Sequence, residues 1–126
     1  MTKAFLLAAL TATSLVPSAS FAWNASNGLV VNATGSGTFT VPYRGASGPR
    51  AFWCAAGDYV VRELNLPGRT KVFRTSPVPR SAGQAMSFSL DRADSVGSTG
   101  LAVIGSPSGI SASHARLQCD NRQFRY

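Results

Sequence analysis

The chain has 126 residues, a formal net charge of +7, and 13% charged against 44% hydrophobic residues. That length fits one domain, and that apolar content is too high for a disordered chain. One histidine and two cysteines leave little material for a metal site.

Residues 1–22 read as a secretory signal peptide. Lys3 supplies the positive start, Ala4 to Val16 form a short apolar stretch, and Ser20-Phe21-Ala22 places small residues where a signal peptidase needs them. The apolar stretch falls short of the ~20 residues of a membrane span, which argues against an anchor. Beyond the leader no run is long enough to span. Cleavage after Ala22 takes Lys3 with it, so +7 becomes +6 and 104 residues remain, 23–126. Trp23 becomes the first residue. The chain is therefore expected to be periplasmic or secreted, and in an oxidising compartment the even pair Cys54 and Cys119 is expected to form a disulfide.

Leu29-Val30-Val31 and Thr38-Phe39-Thr40-Val41 read as two strands joined through Gly35-Ser36-Gly37. Ser47-Gly48-Pro49 resembles a helix start, and residues 50–66 have helical spacing. At 100° per residue, Phe52, Trp53, Ala56, Val60, Val61 and Leu64 share a broad face. Asp58 and Arg62 fall opposite as an i,i+4 pair, with Asp58 facing solvent or capping a neighbouring loop. Cys54 lies at the edge of the apolar arc, and Pro67-Gly68 ends the helix.

Period two takes over afterwards. Residues 70–75 and 86–91 alternate as strands, and Leu101 to Ile104 is a short buried run. Residues 114–119 alternate again, with Ala115, Leu117 and Cys119 on one face. The order is β-β-α-β-β-β-β. A lone amphipathic helix must bury its face on the sheet. The expected fold is a small α+β domain: a mainly antiparallel sheet with one helix packed on one face, and Cys54–Cys119 pinning the helix to the last strand.

No set of residues stands out as catalytic. His114, the sole histidine, would be the base of any hydrolase, but it falls on the polar face of its strand. Gly105-Ser-Pro-Ser-Gly109 lacks the central serine of a nucleophile elbow. A carboxylate-pair site needs two facing acids, and of the five, Asp58, Glu63, Asp91, Asp94 and Asp120, Asp58 is better explained as the partner of Arg62, and Asp91 and Asp94 as turn residues. There is no metal-ligand spacing and no phosphate loop, so no cofactor is expected. Asn24-Ala-Ser26 and Asn32-Ala-Thr34 match glycosylation sequons by chance, because the leader looks bacterial.

The basic excess is the suggestive bulk feature. Ten of the twelve basic residues are arginine. Arg69, Lys71, Arg74 and Arg80 form one cluster. Arg116, Arg122 and Arg125 form another, interleaved with Phe124 and Tyr126. Such clusters suit an anionic cell-envelope polymer: polysaccharide, lipid headgroups or nucleic acid. Phe73, between Lys71 and Arg74, is the nearest candidate for a stacking platform.

The octapeptide Phe52-Trp53-Cys54-Ala55-Ala56-Gly57-Asp58-Tyr59 resembles a motif of small exported bacterial proteins with no known activity. These are similar in plan, with a leader, a short β segment, this helix and a late cysteine. The resemblance implies no cofactor, activity or binding site. The sequence reading therefore ends at a non-enzymatic exported binding or structural protein, with polyanion binding as the alternative and a His114 hydrolase behind it.

Overall fold

The structure, a computed structural model, describes residues 22–45, 48–105 and 107–119. The leader before Ala22, Asp120, and Arg122 and Arg125 of the second basic cluster lie outside the described residues. Six strands form one antiparallel sheet: β1 (Ala22–Asn24), β2 (Val30–Gly35), β3 (Thr38–Val41), β4 (Lys71–Arg74), β5 (Met86–Ser89) and β6 (Gly109–Ser111). Their spatial order is β1-β2-β3-β5-β4-β6. The main helix α1 (Pro49–Asp58) runs into a π-helical turn over Tyr59–Glu63, and a short α2 (Ala112–Leu117) follows β6. The α+β class and the helix-on-sheet packing are as expected.

Alternation sorts the strands into two chemical faces. Phe39 faces Phe88 and Val41 faces Met86 across β3 and β5, and all four are buried beneath α1. Trp53 of α1 meets Phe88 edge-on with ring centroids 4.9 Å apart, and its indole N–H donates to the Thr99 carbonyl at 2.9 Å. A buried aromatic thus keeps its polar atom satisfied while filling the core. The other face carries the registered row Asn32, Thr40 and Ser87, where the Thr40 and Ser87 hydroxyls lie 3.1 Å apart.

Helix α1 begins at Pro49, whose missing N–H costs nothing in a first turn. Every residue from Phe52 to Val60 is buried, more than one amphipathic face requires. The reason is α2, which covers the side of α1 that the sheet does not. Gly57 makes that approach feasible. A Cβ there would stand 2.6 Å from the Ala112 carbonyl oxygen and 2.7 Å from the Ala115 Cβ. The disulfide Cys54–Cys119, with Cα atoms 4.8 Å apart, closes the same seam.

Four local expectations change. Edge strand β1 was unexpected; three residues give too little pattern to read. Leu101 to Ile104 is not a strand. Leu101 and Val103 pack against the core, Ile104 is fully exposed, and Gly105 turns with φ +82°. The last strand is instead Gly109–Ser111, paired with β4. Residues 114–119 belong to α2 and the turn after it. Ser111 caps this helix by accepting from the His114 N–H at 3.1 Å. The buried pair is Ala112 and Ala115 at i,i+3, and Leu117 is exposed. The bridge therefore pins α1 to a second helix rather than to a strand.

Candidate functional site at the seam between the helices

The expected basic cluster does not form one surface. Arg69 and Lys71 are exposed. Lys71 and Phe73 share the outer sheet face by alternation, whereas Arg74 points to the helix side. Arg74 is only 1% exposed. This corrects its assignment to a polyanion surface: it lies opposite Phe88 in register and is held inside. Its Nε donates to the Ser76 carbonyl at 3.1 Å and another guanidinium nitrogen donates to the Pro77 carbonyl. Among the described residues no carboxylate pairs with it. Burial, and secondarily the charge of Arg80, push its pKa below the ordinary value. Arg80 lies with its guanidinium carbon 5.2 Å from the Tyr43 ring centroid and 4.9 Å from that of Phe52, and donates to the Ser81 and Gln84 carbonyls. Both arginines organise the loop after β4. Phe73 is buried, with Arg92 over its ring at 5.7 Å, so it is not a stacking platform.

Arg116 sits differently. At the seam between α1 and α2, Asp58 is buried, correcting the expectation that it faces solvent. It does cap a neighbouring loop: Oδ2 accepts from the Ser26 backbone N–H at 2.9 Å. The same oxygen accepts from Arg62 at 3.2 Å, as the i,i+4 spacing suggested. Oδ1 lies 3.7 Å from Arg116 Nε. A buried carboxylate needs such partners, because desolvation without them is costly. The two arginines are not buried: their side chains are 53% and 44% exposed. Arg62 is held on its other side by Trp23, with its guanidinium carbon 5.7 Å from the ring centroid. Trp23 meets Tyr59 edge-on at 5.8 Å. Burial, and then Glu63, push the Tyr59 phenol above its ordinary pKa.

The sequence points to Arg116 and not to Arg62, because the i,i+4 pair of Asp58 and Arg62 reads as complete by itself. Nothing in the local sequence shows that α2 brings a second arginine to the same acid.

Among the described residues, the His114 side chain makes no hydrogen bond to a serine or carboxylate; its backbone N–H serves the α2 cap. Asp91 accepts from the Ala93 N–H at 2.9 Å and Asp94 from the Ser89 hydroxyl at 2.7 Å, so both act in the turn as expected. They line a shallow groove of about 430 Å³ with Phe73, Ser89 and Arg92. Among the described residues no group of three metal-ligating side chains occurs, and no helix is long and apolar enough to cross a membrane. Comparisons with family models, curated proteins and solved structures find no match for the chain.

Proposed function

We propose that the chain is a small exported, non-enzymatic binding protein of an oxidising compartment, periplasmic or secreted, released from a 22-residue leader. The Cys54–Cys119 disulfide carries this reading. Such a bond persists where thiols are not continuously reduced, and it locks the seam on which the exposed arginines sit. Expression of the full chain in a bacterium tests it. Mass spectrometry of the periplasmic fraction should find a chain beginning at Trp23 and two mass units lighter than the reduced form. An intact chain from Met1, retained in the cytoplasm with free thiols, would overturn it.

A second reading, binding to an anionic polymer, is favoured by the exposed Arg62, Arg69, Lys71 and Arg116. Retention on heparin beyond ~0.2 M salt is the expected result, since several simultaneous anion contacts give a steep salt dependence.

A further inference from the structure

We propose that Arg62 and Arg116, held by Asp58, form a phosphate-binding site at the α1–α2 seam. This rests on the anion-binding reading and names its site and chemistry. Three observations on the seam carry it. First, one buried carboxylate serves two arginines, at 3.2 Å and 3.7 Å. It accepts a hydrogen bond from Arg62 and lies within ion-pair range of Arg116 without using either guanidinium up. Each guanidinium has five N–H donors. Among the described residues, Asp58 is the sole hydrogen-bond or ion-pair partner of either side chain.

Second, the two groups are positioned in advance. Arg62 lies between Trp23 and Asp58. Arg116 is carried on α2, which the disulfide and the close contact at Gly57 hold against α1. Arginine side chains normally lose much rotamer freedom on binding, and fixing them beforehand removes part of that cost. Third, both arginines flank one buried residue with about half of each side chain in solvent, and planar guanidinium forks suit a tetrahedral oxyanion. Phosphate has oxygens enough for two such forks. Glu63 is the acidic neighbour; it is exposed, makes no ion pair among the described residues, and acts on Tyr59. Its charge opposes binding, so Glu63→Gln should strengthen it.

The site offers its own reporter. Trp23 touches Arg62, while Trp53 is buried and bonded to Thr99. Phosphate at Arg62 should change Trp23 emission, and a Trp23→Phe variant should lose that response. The test is a fluorescence titration of the mature, oxidised protein with inorganic phosphate at constant ionic strength, chloride serving as control. Arg62→Gln and Arg116→Gln should each weaken phosphate binding by about tenfold, the loss expected for one charge-assisted contact. The thermal midpoint of each variant, measured alongside, establishes that it is folded.

Vesicles of phosphatidylglycerol, compared with phosphatidylcholine, identify the source of the phosphate. Capture by the first and not the second assigns a lipid headgroup. Binding of inorganic phosphate without vesicle capture assigns a free or small-molecule phosphate. Equal responses to phosphate and chloride, or folded arginine variants that bind phosphate like the parent, would overturn the site. If those variants still elute from heparin late, the polymer reading survives without this site. If the parent itself elutes early, the polymer reading fails and the titration judges the site alone.

Discussion

Among the described residues two charged side chains are buried, Asp58 and Arg74, and the two regions around them solve the same problem in opposite ways. At the end of β4, Arg74 enters the core and gives its donors to the backbone carbonyls of Ser76 and Pro77. Buried there, it is out of reach of a ligand, and the gain is a fixed loop. At the α1–α2 seam, Asp58 enters the core and is matched by Arg62 and Arg116, whose far sides remain in solvent. Burial of the acid there leaves two oriented cations on the surface. A buried charge satisfied by backbone is a structural clasp. One satisfied by exposed counter-charges also prepares a surface to bind.

The largest way to break this contrast is to open the seam itself. Replacing both Cys54 and Cys119 with serine removes a cross-link spanning 65 residues. The unfolded chain regains about 4 kcal/mol of conformational freedom on the chain-entropy account. Urea unfolding should show a loss of that order. Arg74→Met comes next, at about 2 kcal/mol, because two carbonyls lose their buried donor. By contrast, Arg62→Gln should cost less, about 1 kcal/mol, because Asp58 keeps the Ser26 N–H and Arg116 as partners. Similar losses for Arg74→Met and Arg62→Gln would remove the distinction between clasp and binding surface.

Gly57→Ala should cost about 1–2 kcal/mol despite alanine's better helix propensity, because the added methyl meets the α2 backbone. If thermal unfolding shows this variant to be more stable than the parent, α1 and α2 are not in close contact. Alkaline pH gives a smaller effect. The Tyr59 phenol holds its proton above the ordinary 10.0. The folded state therefore stays protonated after the unfolded chain has begun to ionise. This contribution is fully present below pH 10 and is lost as pH rises beyond it. In Glu63→Gln the loss should be smaller and complete at a lower pH, since one of the two causes that raise the folded pKa has gone. Leu117→Ser should change stability by less than about 0.5 kcal/mol, because Leu117 is exposed.

The fold was legible where pattern and burial agree on one answer. Helix α1 has a helical apolar arc and a proline start, and β3 and β5 alternate cleanly under it. Legibility ended where a segment is short and buried on an unforeseen side. Ala115, Leu117 and Cys119 match a strand's period, and six residues cannot separate that from a helix. The Ser111 cap decided it locally, and contact with Gly57 decided it globally. Cys54 with Cys119 was legible because two cysteines permit one pairing. The candidate site was half legible. Asp58 with Arg62 is a local pair, but Arg116 reaches the same acid from 58 positions further along the chain. Arg74 could not be told from Lys71 by composition; strand alternation separates them once the covered face is known.

The most direct measurement of the central claim is phosphate titration of Asp58→Asn, followed through Trp23 fluorescence. Asparagine keeps an oxygen that can accept from the Ser26 N–H, and it removes one negative charge. If Asp58 orders the two arginines into a site, phosphate binding weakens even though the net charge has become more positive. If binding strengthens with the added positive charge, the arginines act as a diffuse surface field, and the account of the seam is contradicted.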